Sequence, residues 1–348
     1  MKARYFIYII TIASLCFASC TKPTDDASVK KTEKISVSAV VDEVKSVNAG
    51  QRSRSEGAYT GVEPSANSPL KSAVWFSLKS GNYPESLAES EKTDENIETE
   101  IPVHSVINYQ SGTATFPDGV TPKYPTSGNP VYCVGLYPFT GWTNADDSHA
   151  IHVITGKEDL MFAPEISGNW NEHFATQRYR HMLTWLKVCV CTTTTDAGSY
   201  WGKLNKITLK DVPNSLTVDL SKVESNAFAL QSAVTFSAEK TDRVILDNSE
   251  GVDLSIVAQE VASVFCDPRD NTTPDNPYIL VIECENGKTK EVPITLSGFG
   301  DLNPELLKYP AGLQYLLVLY FHPYDVVDGI CTLNTWNAQN EDLYPSGS

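Results

Sequence analysis

Apolar residues in this chain recur at alternate positions in short windows, and few windows carry them at helical spacing. After Lys34 the period-two pattern is sharp: Ile35, Val37, Ala39 and Val41 fall on one side, Ser36 and Ser38 on the other. Successive side chains of a strand point to opposite faces, so this is a half-buried strand. Further strand-like windows follow at 73–78, 113–116, 131–137, 183–191, 206–210, 216–220, 278–284, 292–296, 316–321 and 330–336. The run 183–191 is almost continuously apolar and reads as a central strand. Asp211-Val212-Pro213-Asn214-Ser215 is a turn signal, and Asn286-Gly287 marks a hairpin. Many short strands separated by turns predict an all-β chain built of sandwiches or open barrels.

The N-terminus has the layout of an export signal. Lys2 and Arg4 precede a mostly apolar run from Tyr5 to Ala18, too short to span a bilayer comfortably. It ends in Phe17-Ala18-Ser19-Cys20, small residues before a cysteine, as lipoprotein signal peptidase selects. Cys20 then carries the covalent lipid, and several acyl chains on one residue anchor far more firmly than one. The plainer alternative is an ordinary signal peptide cut at an Ala-x-Ala-like site. Residues 1–19 are therefore assigned as a signal peptide, and Thr21 to Lys34, polar and carrying Asp25-Asp26, as a tether.

A net charge of −16 argues against nucleic acid and against wide contact with anionic lipid headgroups, and loss of Lys2 and Arg4 makes the chain more acidic still. The length of 348 residues exceeds a usual single domain, so two are expected. Cys133, Cys189, Cys191, Cys266, Cys284 and Cys331 lie beyond the signal. Cys189 and Cys191 share a strand face about 6.5 Å apart with parallel Cβ vectors, which does not suit a bond between them. Most of the six read as small buried apolar residues, with a disulfide framework as the alternative.

No constellation for catalysis stands out. The chain has no Gly-x-Ser-x-Gly, Walker, Gly-x-Gly-x-x-Gly or His-Glu-x-x-His motif. His149 and His152 lie beside Asp146 and Asp147, but Asn, Asp and Ser crowd that stretch, which reads as an exposed turn rather than a metal site. No metal and no cofactor other than the lipid on Cys20 is expected. A glycosidase needs two carboxylates that need not be adjacent in sequence, and it ranks last among the functional classes. Trp142 and Trp170 lie in Gly/Asn/Asp/Ser-rich surroundings and are the candidates for stacking on a sugar; Trp75, Trp185, Trp201 and Trp336 sit in strand-like or apolar stretches and read as core.

Five segments in order carry a family resemblance. Val131-Tyr132-Cys133-Val134-Gly135-Leu136-Tyr137-Pro138-Phe139 looks like an aromatic strand ending in Tyr-Pro, and Asp159-Leu160-Met161-Phe162-Ala163 follows it. His181-Met182-Leu183-Thr184-Trp185-Leu186-Lys187-Val188 resembles a His-x-Leu-x-x-Leu strand, and Ile207-Thr208-Leu209-Lys210-Asp211-Val212-Pro213 comes next. The segment 330–336 resembles the closing strand with a tryptophan. Together, over roughly residues 20–340, the chain resembles the fimbrillins, pilin-like lipoproteins of Gram-negative anaerobes. The resemblance implies two transthyretin-like Greek-key β-sandwich domains, at 55–224 and 225–348, following a removable segment at 20–54. It implies an outer-membrane, cell-surface lipoprotein and partner subunits joined by β-strand addition. An arginine-directed protease would cut after Arg52 or Arg54, in the turn-rich stretch 48–57, and release the strand 35–47. The groove left behind would accept a strand from another subunit. The alternative is that the strand stays in place and the stretch after it is only a loop.

The tail 337–348 departs from the family pattern, because it lacks the apolar alternation of a donor strand. Either 326–336 takes that part or the chain is a tip or anchor component rather than a stalk subunit. The leading function is a fimbrial subunit in cell adhesion, not an enzyme; the runner-up is a glycan-binding surface lipoprotein that does not polymerise.

Overall fold

A computed structural model describes residues 33–44, 59–62, 64, 69–83, 104–109, 114–116, 122–125, 127–222, 230–270, 276–294 and 310–334. The signal peptide, Cys20, the stretch with Arg52 and Arg54, and the tail with Trp336 lie outside the described residues.

In chain order the strands are β1 (Ala39–Val44), β2 (Tyr59–Val62), β3 (Leu70–Ser77), β4 (His104–Tyr109), β5 (Ala114–Thr115), β6 (Val131–Tyr137), β7 (Trp142–Asp146), β8 (His149–Val153), β9 (Met161–Gly168), β10 (Gln177–His181) and β11 (Thr184–Thr192). After helix α1 (Thr195–Trp201) come β12 (Leu204–Pro213) and β13 (Ser215–Asp219). After the single turn α2 (Leu230–Ala233) come β14 (Val234–Phe236), β15 (Lys240–Val252), β16 (Gln259–Cys266), β17 (Tyr278–Cys284), β18 (Thr289–Ile294), β19 (Gln314–His322) and β20 (Val326–Asn334). The chain is all-β, as its period-two pattern predicts; α1 spans 7 residues and serves to bring the buried Trp201 over the core.

Four sheets form two sandwiches. An eight-stranded sheet runs β2-β1-β10-β9-β6-β3-β4-β5, and a four-stranded sheet β14-β13-β8-β7 packs on one of its faces. Alternation along β3 shows how the large sheet is used. Ala73 and Trp75 point into the core between these two sheets, while Leu70, Val74 and Phe76 point into a second core on the opposite face. The other sandwich stacks β16-β11-β19-β20 on β15-β12-β17-β18. Its strands show the same order: Tyr278, Leu280, Ile282 and Cys284 of β17 are buried, with half-buried residues between them. Trp185 stacks on Phe265, 5.4 Å between ring centres, and both belong to the first sandwich's core, although β11 and β16 belong to the second.

The boundary expected between 224 and 225 does not separate the sandwiches. β11 and β12 precede it, yet β11 lies between β16 and β19, parallel to β19, and β12 lies between β15 and β17. Conversely β14 follows it and pairs with β13 of the first sandwich. Long-range ladders, not sequence contiguity, decide which core a strand serves. The exposed turn read beside His149 is the tip of the β7–β8 hairpin, with its turn at Asp147-Ser148. The hairpin marked by Asn286-Gly287 joins β17 to β18, and Gly287 takes the positive φ of 75° that such a turn needs.

Candidate functional site

The strand whose removal the family resemblance implies sits inside a sheet. β1 lies between β2 and β10, antiparallel to the first and parallel to the second, with Val41 opposite Val62 on one side and Tyr179 on the other. The alternation seen in the sequence is the burial pattern of the structure. Ile35, Val37, Ala39 and Val41 are buried, Ser36 is exposed and Ser38 half-buried. The four apolar side chains join Phe76, Val131, Cys133, Met161 and Tyr179 in the core on one face of the large sheet.

Backbone bonds guide the segment into place. Ile35 N–H donates to the Pro122 carbonyl at 2.8 Å, and Tyr124 N–H donates to the Glu33 carbonyl at 2.9 Å. Gln177 N–H donates to the Ser38 carbonyl at 2.8 Å, where the parallel ladder with β10 begins. At its other end the charged residue Asp42 is buried, and it is held by two arginines of β10. Arg178 Nε and Arg180 Nε reach Asp42 Oδ2 at 3.1 and 3.2 Å, and Arg178 Nη2 reaches Oδ1.

The floor under β1 is built around Tyr179. Its hydroxyl donates to Ser72 Oγ at 2.6 Å, and Ser72 Oγ donates to the Leu136 carbonyl at 2.8 Å. The ring crosses β6 at Gly135, where any Cβ would coincide with the tyrosine hydroxyl. Gln177 Nε2 contacts Cys133 Sγ at 3.1 Å. Burial pushes the Cys133 thiol well above its ordinary range, so it is an apolar floor residue and not a nucleophile.

Burying an Ile or Val side chain is worth about 1.5–3 kcal/mol, so Ile35, Val37 and Val41 together contribute roughly 5–9 kcal/mol as an upper bound. That is comparable with the whole stability of a domain, about 5–15 kcal/mol. A seat emptied of β1 therefore cannot stay open to water without a large penalty.

The tryptophans proposed for sugar stacking do not form one platform. Trp142 is half-buried on the first sandwich's inner core, donates its indole N–H to the Pro138 carbonyl at 2.9 Å, and tilts against the His152 ring at 4.7 Å. Trp170 is half-buried against the core on the opposite face of the large sheet, over Gly128. Trp75, Trp185 and Trp201 are buried, as expected. His149 and His152 part company: Nδ1 of the first meets Asp146 Oδ1 at 2.8 Å, while the second is buried against the Val153 and Thr140 carbonyls. No group of three or more metal-ligating side chains occurs among the described residues. The cysteines from Cys133 to Cys331 are all free.

Together these features define an all-β sandwich protein whose first strand fills an interior place in a sheet. No family model matches the sequence, and no curated protein matches it significantly. Among solved structures it is similar to a candidate cell adhesion protein from Bacteroides uniformis, with a TM-score of 0.51 and 13% identity over 87% of this chain and 99% of that one. It is also similar to a candidate cell adhesion protein from Bacteroides ovatus (TM-score 0.49, 16% identity, 87% and 96% covered). A third similar structure is the C-terminally truncated tip fimbrial protein of Porphyromonas gingivalis (TM-score 0.35, 11% identity, 86% and 100% covered). The Bacteroides uniformis likeness establishes a shared fold across most of the chain.

Proposed function

We propose that this chain is a subunit of a cell-surface fimbrium that contributes to adhesion, is lipid-anchored through Cys20 at the outer membrane, and joins its neighbours by strand exchange. The observation that carries the reading is the placement of β1. It is an interior strand that, with the residues just before it, buries Ile35, Val37, Ala39 and Val41 on one face, and Arg52 and Arg54 lie between it and β2. Cleavage after either arginine severs β1 from the rest of the chain while β10, paired with β9 on its far side, keeps its place. The unpaired backbone of β10 and the apolar floor then favour a strand from another subunit. Cell adhesion, named for the Bacteroides uniformis protein of like fold, agrees with this role. The role involves no catalytic step and no cofactor besides the lipid.

Limited trypsin digestion of the chain lacking residues 1–20, followed by mass spectrometry and native gels, tests it. The expected result is one early cut after Arg52 or Arg54, release of the fragment holding β1, and a ladder of oligomers that an R52A/R54A variant does not form. Resistance at both arginines with a persistent monomer would remove strand exchange from the account.

A further inference from the structure

Two hairpin tips and the end of α1 meet at one corner of the second sandwich. Trp201 donates its indole N–H to the His322 carbonyl at 2.7 Å, which holds α1 to the end of β19. In the β17–β18 tip, Asn286 Nδ2 donates to the Tyr200 carbonyl at 2.8 Å, and Glu285 N–H donates to the Lys203 carbonyl at 2.8 Å. The half-buried Tyr200 ring is fixed by the Lys288 ammonium over its face and by the Trp201 ring, nearly perpendicular to it at 84°. Next to Tyr200, 6.4 Å between ring centres, stands Tyr324 in the β19–β20 tip, 85% exposed.

A lone exposed aromatic is ordinary, but this one stands on backbone that resists it. Tyr324 and Asp325 take φ of 66° and 70°, the left-handed region that a bulky side chain disfavours. The β17–β18 tip meets the same demand with Gly287 at φ 75°. Glycine would relieve the β19–β20 tip too, and a ring so exposed gains little from burial to offset its strain. Its role therefore lies in what it presents outward. Exposed hydrogen-bonding groups surround it: Asp325, 56% exposed and 3.6 Å from Lys290, and Asp328, 66% exposed and 3.1 Å from His322.

We propose that this corner binds a neutral oligosaccharide, with Tyr324 as the stacking platform. A pyranose has an apolar C–H face, which suits the tyrosine ring, and a rim of hydroxyls, which donate to Asp325 and Asp328. The acidic chain, −16 in full and more negative without Lys2 and Arg4, repels uronate-rich or sulfated polymers, so the ligand is built of uncharged sugars. The site uses neither β1 nor strand exchange, and it is separate from Trp142 and Trp170, which pack on the first sandwich's cores.

The test applies the uncleaved chain lacking residues 1–20 to a printed array of neutral oligosaccharides of glucose, galactose, mannose, xylose and N-acetylglucosamine, with oligogalacturonates as the charged control. Binding is expected on neutral spots and not on oligogalacturonates. Tyr324→Gly is expected to lower that signal at least about tenfold, whereas Tyr324→Phe, which keeps the ring, retains it. Because glycine relieves the tip, the urea midpoint of Tyr324→Gly is expected at or above the parent's, which separates loss of binding from loss of fold. No binding to any neutral spot, preference for oligogalacturonates, or equal binding by Tyr324→Gly would overturn the proposal. So would loss of the trypsin-induced oligomer ladder in Tyr324→Gly with no sugar bound by the parent, which would make the tip a contact between subunits.

Discussion

At the scale of single residues, Tyr179 and Gly135 make one unit. The tyrosine ring needs the space a side chain at 135 would fill, and its hydroxyl ties β10 to β3 through Ser72. A methyl group at Gly135 must push the ring toward β1, so Gly135→Ala is expected to destabilise the protein by about 1–3 kcal/mol, the usual range for overpacking. Urea denaturation checks this, and an unchanged midpoint would contradict it. Three buried cysteines and the half-buried Cys331 give a second prediction. Burial raises the thiols of Cys133 and Cys266, and lifts those of Cys284 and Cys331 to about 11 and about 12. A raised thiol value keeps the neutral, unreactive form through pH 8, and thiolate appears only as the pH climbs toward the raised value. Native protein at pH 8 is therefore expected to leave these four cysteines unmodified by maleimide, while urea-unfolded protein reacts at all of them; mass spectrometry reads the difference.

Elements were legible in the sequence where one face is apolar and hidden where it is not. β1, β6, β11 and the β17–β18 hairpin carry alternation or a continuous apolar run, and each was readable. β15 was not: it is an edge strand of 13 residues, largely exposed, and its charged and polar side chains give no period to detect. The turn read at 211–215 is reduced to a single bend at Asn214, since Asp211, Val212 and Pro213 belong to β12 and Ser215 opens β13, and it does not join paired strands. β12 belongs to one sandwich and β13 to the other, and the chain crosses between them at Asn214. Turn chemistry is local, whereas the choice of ladder partner lies far away in sequence. For the candidate site, the apolar face of β1 was readable, while Asp42's arginines were not, since they lie 136 and 138 residues onward. β2 has β1 as its sheet neighbour and β10 has β9 on its other side. Hydrogen exchange is accordingly expected to show amides 59–62 losing protection once β1 is released, with β9 and β10 keeping most of theirs. Equal loss throughout the sheet would contradict this.

For the whole molecule, the split into two domains by position failed because the sandwiches share the chain unevenly. Each takes strands from both sides of residue 225, so neither half of the sequence holds a complete set of ladders. Net charge acts at this scale. The full chain carries −16, and loss of its net-positive N-terminal segment makes cleaved subunits more acidic still, so that they repel one another at low ionic strength. Assembly is expected to speed up between about 10 and 150 mM salt as the screening length falls from roughly 30 to 8 Å. Light scattering of the cleaved protein follows this, and a slower rise at higher salt would place the governing contact in complementary charge instead.

The setting of β1 between two neighbours also has a mechanical meaning. A strand inserted there and pulled along its own length loads the bonds on both sides at once, in shear, instead of opening them singly like a zip. The β10 side belongs to a broad sheet, so traction on a filament built this way would be shared with the frame of each subunit. Under the proposed strand exchange, a cell held in flowing fluid would hang from rows of bonds acting in concert.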